Sequence, residues 1–209
     1  MAARVMQASD PEAMRAALAV LRGGGLVAFP TDTVYGVGAV AFDSAAVERI
    51  YAAKGREVAK ALPILLASEA ALSDVVDETP QDARRLADVF WPGPLTMILR
   101  KRDSVPEAVS SKGTVGVRVP AHPVALELLA ACGPLATTSA NPSGAADPMT
   151  AEEVVAGLGD RIDLILDAGQ APGGRPSTVV DCTVSPPVMV RDGPVSMDLI
   201  LAVLAGPEH

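Results

Sequence analysis

Apolar residues recur along this chain with two periods, and the periods take turns. After Asp10-Pro11-Glu12, the residues Met14, Ala17, Leu18 and Leu21 fall three or four apart. That spacing predicts an amphipathic helix with Asp10 as its N-cap and Pro11 in its first turn. Gly23-Gly24-Gly25 ends it, and 26–29 (Leu-Val-Ala-Phe) then reads as a short buried strand closed by Pro30. Ser44 is placed to cap a second helix with Val47, Ile50 and Tyr51 on one face, stopped by Gly55. Lys54 lies seven residues beyond Val47, so it continues that inward face. Residues 64–67 read as a strand, and Thr79-Pro80-Gln81-Asp82 opens a third helix that ends near Trp91-Pro92-Gly93-Pro94. Strands follow over 95–100 and 115–119, an apolar helix from His122-Pro123 to Gly133, and a strand over 135–138. Thr150 and Glu153 have capping-box spacing for another helix. Strands over 162–166, 178–182 and 188–191 precede a last helix, capped by Ser196 and running to Leu204. With no internal repeat and no dividing linker, the alternation predicts an α/β fold: a single-domain open twisted sheet with helices on both faces.

Composition narrows the chemistry. The chain has 209 residues, 49% of them apolar, enough for the core of one large domain. Aromatic residues are only 3%, which argues against base stacking on rows of aromatic side chains. The formal charge is −8, so an anionic ligand must be held by a local cationic pocket against a negative background. Two cysteines, Cys132 and Cys182, and two histidines, His122 and His209, argue against a Cys/His zinc site and against a Ser/His hydrolase. Both cysteines read as small buried apolar residues, and His122 as a structural residue at a helix start. The longest apolar run, 199–205, is far short of a bilayer span, and the first ten residues have no apolar signal core. The expectation is a cytoplasmic protein with reduced thiols.

Four groups of residues are too polar or too special for their surroundings. Residues 30–38 (Pro-Thr-Asp-Thr-Val-Tyr-Gly-Val-Gly) follow a buried strand, where open α/β sheets place ligands; a hydroxyl-rich turn between strands is the plainer reading. Lys54, Arg56 and Lys60 put three cations within seven residues. Cations near a helix C-terminus are ordinary dipole partners, but an inward Lys54 needs a partner, which a bound phosphate would supply. Residues 137–144 (Thr-Thr-Ser-Ala-Asn-Pro-Ser-Gly) have no charge and could cradle phosphate oxygens or simply form a Ser/Asn-rich loop. Arg118 and Arg191 sit in or beside apolar strands and need an anionic ligand, a route to solvent or an internal carboxylate.

Read together, these segments resemble the threonylcarbamoyl-AMP synthase family, the YrdC-type domain proteins. The matching stretches are 29–38, 54–62, 91–96 (Trp-Pro-Gly-Pro-Leu-Thr), 115–123, 139–144, 177–181 and 190–194 (Val-Arg-Asp-Gly-Pro), in family order and spanning roughly residues 10 to 200 as one domain. The chain looks like the short stand-alone form. The resemblance implies an open sheet around a deep positive cavity. It implies a nucleotidyltransferase that makes threonylcarbamoyl-AMP and pyrophosphate from L-threonine, bicarbonate or CO2 and ATP, for threonylcarbamoyladenosine modification of tRNA. Carried over by motif, the catalytic set falls on Lys54, Arg56, Ser139 and Asn141. ATP contacts fall on Arg56, Lys60, Ser139, Asn141 and Arg191, and L-threonine contacts on Thr33, Arg118, Thr137 and Ser177. Mg²⁺ would come with ATP, held by phosphates and water, with no protein ligand named. The product would be handed to a tRNA threonylcarbamoyl-transfer complex, with weak RNA binding as an accessory and no membrane partner. Asp32 departs from the Glu of many members, Leu65 falls near a His of some relatives, and 57–61 differs from the commoner Pro-containing version. A rival reading from the residues is an RNA-binding ribosome-maturation factor using the same cationic pocket, which the acidic balance opposes.

Overall fold

Each period becomes the element it suits, with the exceptions set out below. The computed structural model describes residues 2–57 and 60–206. In chain order the elements are β1 (Arg4–Gln7), α1 (Pro11–Arg22), β2 (Val27–Pro30), β3 (Tyr35–Val40), α2 (Ser44–Lys54), β4 (Ile64–Leu65), a 3-10 turn (Glu69–Asp74), α3 (Gln81–Phe90), β5 (Leu95–Arg100), β6 (Thr114–Arg118), α4 (Pro123–Cys132), β7 (Leu135–Ser139), α5 (Ala151–Leu158), β8 (Leu164–Asp167), β9 (Thr178–Asp181), β10 (Val188–Arg191) and α6 (Met197–Ala205). The strands form one mixed sheet in the order β1-β8-β2-β3-β7-β4-β6-β5-β9-β10. Its middle is antiparallel from β2 through β3 and β7 to β4, and β4/β6 and β5/β9 pair parallel.

The strand pleat sorts the core into two layers. Along β2, Val27 and Phe29 join one apolar cluster with Ala13, Ala17 and Leu21 of α1 and Leu128 and Leu129 of α4. Ala28 between them joins the other, with residues of α2, α3, α5 and α6. Successive side chains point to opposite faces of a sheet, so α1 and α4 cover one face and the remaining helices the other. The residues of β8 sort likewise, Leu164 and Leu166 against Ile165.

Three elements differ from expectation. Asp43, not Ser44, caps α2: its Oδ1 accepts from the Ala46 N–H at 3.1 Å, and Ser44 is the first helical residue. Residues 35–38 of the segment read as a ligand loop or a hydroxyl-rich turn belong instead to strand β3, and its glycines let the strand lie close to its neighbours. A Cβ at Gly36 would stand 2.9 Å from Thr137 Cγ2, and one at Gly38 3.1 Å from Thr137 Oγ1. β1 was not anticipated; it is a mostly exposed edge strand whose polar sequence carries little periodicity. No helix among the described residues is long and apolar enough to cross a membrane.

Asp43→Ala should cost about 1 kcal/mol of stability in urea denaturation, the usual value of an N-cap, while Ser44→Ala stays within about 0.5 kcal/mol. The reverse ranking would return the cap to Ser44.

Candidate active site

The polar residues of the inner strands share one face. Thr96 and Ile98 of β5, Gly116 and Arg118 of β6, Thr137 and Ser139 of β7, and Ser177 and Val179 in and before β9 all line one cavity. Each pair is two residues apart, as the pleat requires. Their neighbours Met97, Val117, Ala136 and Val180 point the other way, into the core below α2 and α3. The cavity therefore opens on the α1/α4 face, over strands those two helices leave uncovered. It has a volume of about 300 Å³, at the small end for ligand pockets.

One wall is the turn between β2 and β3. Thr31 and Thr33 are buried, with their hydroxyls 2.9 Å apart, and Thr31 donates onward to the Val34 carbonyl at 2.7 Å. Arg118 reaches this turn from β6. Its Nη1 donates to Thr33 Oγ1 at 3.1 Å, its Nη2 to Asp32 Oδ1 at 2.5 Å and its Nε to the Gly93 carbonyl at 2.9 Å. An internal carboxylate thus answers the question of Arg118's partner. Burial lowers the Arg118 pKa, Asp32 pulls it back and Arg191 lowers it further. The segment 168–177 packs onto the same turn, with Gly174 N–H bonded to the Thr33 carbonyl at 2.9 Å. Gly173 has no room for a side chain: a Cβ would collide with the Asp32 carbonyl oxygen and Thr33 Cα.

Arg56 and Arg191 stand at the cavity without a carboxylate within 4 Å among the described residues. Arg191 donates to the Ser177 carbonyl at 2.8 and 3.0 Å and to Ser177 Oγ at 3.1 Å, and Ser177 Oγ lies 2.8 Å from Thr96 Oγ1. Arg56 makes longer bonds, to the Lys60 and Ala61 carbonyls and Thr138 Oγ1 at 3.2–3.4 Å. Burial lowers both pKa values; Asp147 pulls Arg191 back while Arg56 pushes it further down. The Arg191 guanidinium therefore shares its field with Arg118 on one side and Arg56 on the other. Asp147 is the one carboxylate among the lining residues.

Lys54 is buried, as its position on α2 requires, but protein oxygens satisfy it. Its ammonium donates to the carbonyl of Ser139, to the carbonyl of Asn141 at 2.5 Å and to Asn141 Oδ1 at 3.1 Å. Burial, and then the Arg56 charge, bring its pKa down to about 8, with Asp147 opposing. Ser139 Oγ donates to Asn141 Oδ1 at 2.6 Å, and Asn141 Nδ2 donates to the Ala145 carbonyl at 2.6 Å. So the loop after β7 is held from behind by α2.

Of the residues singled out from sequence, Thr33, Arg56, Arg118, Thr137, Ser139, Ser177 and Arg191 line this one cavity. Lys54 and Asn141 stand behind the wall, and Lys60 is exposed outside it. Thr31, Thr96 and Thr138, which fall in segments singled out from the sequence but carry no assigned role there, also line the cavity, as does Asp147, which falls in none of them. Thr96 had a signal, being a hydroxyl within an apolar strand; Asp147, in an irregular segment, had none. Cys132 and Cys182 are free thiols away from the cavity, their pKa values pushed up by burial to about 11 and about 12. His122 occupies the N-cap position of α4, where its side chain makes no capping bond, and His209 lies outside the described residues. No group of three or more His, Cys, Asp and Glu among the described residues could hold a metal ion.

Lys54→Met keeps the length but takes the ammonium away from the Ser139 and Asn141 carbonyls and leaves Asn141 Oδ1 with the Ser139 hydroxyl alone. It should lower stability by about 3 kcal/mol in urea denaturation; a loss below about 1 kcal/mol would contradict the anchoring role.

Comparison with known proteins places this geometry. A Bacillus subtilis relative, named threonylcarbamoyl-AMP synthase, is 42% identical over 98% of this chain and 59% of its own length. A Mycobacterium tuberculosis relative is 41% identical over 94% of this chain and 93% of its own. The solved structure of Pyrococcus abyssi Sua5 complexed with L-threonine superposes with a TM-score of 0.89 at 44% identity, covering 91% of this chain and 57% of that one. Residues 19–193 match the Sua5/YciO/YrdC family model, which carries the description "Telomere recombination". With that match across most of its length, the chain belongs to the Sua5/YciO/YrdC family.

Proposed function

We propose that this protein is an L-threonylcarbamoyladenylate synthase, a nucleotidyltransferase that joins L-threonine, bicarbonate or CO2 and ATP into threonylcarbamoyl-AMP and pyrophosphate. The observation that carries the reading is the convergence of three arginines on one small hollow in a chain of net charge −8. Only Arg118 of the three has a carboxylate partner among the described residues. The names of the Bacillus subtilis and Pyrococcus abyssi relatives, and the threonine bound to the latter, support it.

The threonine amine takes up CO2, losing a proton, to give a carbamate; from bicarbonate, water leaves. A carbamate oxygen then attacks the α-phosphorus of ATP, and the bond to the bridging oxygen breaks to release pyrophosphate. The nucleophile belongs to the substrate, so no protein thiol or imidazole is needed at the cavity. The protein's task is to align two anions and offset charge at phosphorus. Arg56 and Arg191 serve the triphosphate, with Ser139 beside them and Lys60 reaching in from outside. Lys54 acts from behind, holding Ser139 and Asn141. Arg118, Thr33, Thr137 and Ser177 serve the amino acid. Mg²⁺ would travel with the nucleotide on phosphate oxygens and water; of the lining residues only Asp147 offers it a carboxylate. The product is a labile mixed anhydride, suited to hand-over to a tRNA-modifying complex in the cytoplasm. The ribosome-maturation reading gains nothing from the relatives' names.

Mass spectrometry of a reaction with ATP, Mg²⁺, bicarbonate and L-threonine should show threonylcarbamoyl-AMP; AMP and pyrophosphate formed equally without threonine would refute the assignment. Arg56→Ala should lower ATP use roughly 10–150-fold, the value of about 1.5–3 kcal/mol for hydrogen bonds to a charged group. A near-native pyrophosphate release rate would remove Arg56 from the triphosphate site. Arg118→Ala should abolish the dependence on threonine with a milder loss of ATP affinity. An unchanged threonine titration would take Arg118 out of the amino-acid site.

A further inference from the structure

The arginines of the cavity fall into two kinds. Arg56 and Arg191 rest on neutral oxygens. Of the three, Arg118 alone is ion-paired among the described residues, and three of its donors are already used, on Gly93, Thr33 and Asp32. A guanidinium has five N–H donors in a rigid fork, so two remain, the number that a bidentate carboxylate accepts.

Asp32 differs from the other partners of Arg118. It is the charged one, its side chain is only 11% exposed, and it is not among the residues lining the cavity. Its Oδ1 accepts both the Arg118 bond and the Ala121 N–H at 2.9 Å, which ties it to the segment leading into α4. Its Oδ2 is buried with no partner among the described residues. A buried carboxylate oxygen left unmatched is costly, and an amide of the same shape could accept the same two hydrogen bonds without a buried charge. What the charge adds is a firm hold on the guanidinium, shared with Thr33.

We propose that Asp32 is a positioning residue for the amino-acid substrate: without meeting the ligand, its carboxylate fixes Arg118 so that the two remaining donors serve the substrate's carboxylate. The proposal rests on the synthase reading above. It also sorts the anions in the cavity. The Arg118–Asp32 pair is neutral as a unit, so it recognises a planar carboxylate by directed hydrogen bonds. Arg56 and Arg191, which have no carboxylate within 4 Å among the described residues, are left to the more highly charged phosphates.

Calorimetric titration of the native protein with L-threonine, and separately with Mg²⁺–ATP, sets the reference. Asp32→Asn should weaken threonine binding about tenfold and leave ATP binding within about twofold. Asp32→Glu, which keeps the charge, should hold threonine within about threefold of native. Native threonine affinity in Asp32→Asn, or equal losses for threonine and ATP, overturns the proposal, since a merely structural role moves both ligands together. If Asp32→Asn fails to fold, Asp32→Glu decides: a folded protein that binds threonine tenfold more weakly overturns it, and one within threefold supports it. A native protein that binds ATP but no threonine defeats the synthase reading first and this proposal with it, before any variant is measured.

Discussion

Lys54 is 3% exposed, and the rest of the site is arranged around keeping its ammonium satisfied. An unpaired buried ammonium would be prohibitive, so the chain must bring oxygens to it. They come from residues 85 and 87 positions away, at the end of β7 and in the loop beyond. This contact joins the C-terminal end of α2 to the polar end of β7, and with it places Arg56, two residues on, beside Thr138 and Ser139. A helix end and a strand end that have no local reason to meet thus form one wall.

The hollow that Lys54 helps to close exists because the sheet is wider than the helices on one of its faces. Where α1 and α4 cover it, the strands show Phe29, Leu135 and Leu164. Beyond that cover, the same face shows Thr96, Gly116, Arg118, Thr137 and Ser139. Their neighbours Met97, Val117 and Ala136 are apolar and fill the opposite core, while Thr138, between Thr137 and Ser139, is polar and also reaches the cavity. The strands therefore do two jobs at once, with period 2 setting most of the apolar residues that stabilise the sheet apart from the polar ones that face the cavity. Gly36 and Gly116 keep the floor low, since side chains there would press on Thr137 and Thr96.

Much of this was legible along the chain because it is local. The helix caps at Asp10, Thr150 and Ser196, the stop at Gly55 and the inward turn of Lys54 all follow from spacing and are all present. The site residues that line the cavity were named from motifs. What was hidden is what long-range contact decides. The need of Lys54 for a partner was clear, but its satisfaction by Ser139 and Asn141, rather than by a phosphate, depends on sheet order. The carboxylate that meets Arg118 could be narrowed to an internal or a bound one, and only the fold selects Asp32, 86 residues away. Nothing along the chain marks Gly173; its lack of room for a side chain comes from the packing of its segment against Asp32 and Thr33. β3 begins inside the hydroxyl-rich segment 30–38, which by pattern alone reads as a loop or turn, and its pairing with β2 and β7 is decided by the fold.

The central claim is that one cavity holds two unlike anions side by side, sorted by two kinds of arginine. A crystal structure of the protein with a non-hydrolysable ATP analogue, Mg²⁺ and L-threonine tests it most directly. The account predicts phosphate oxygens on Arg56 and Arg191 and the threonine carboxylate on Arg118, with the amine turned toward the α-phosphorus. Phosphates on Arg118, or either ligand seated outside the cavity, would contradict it.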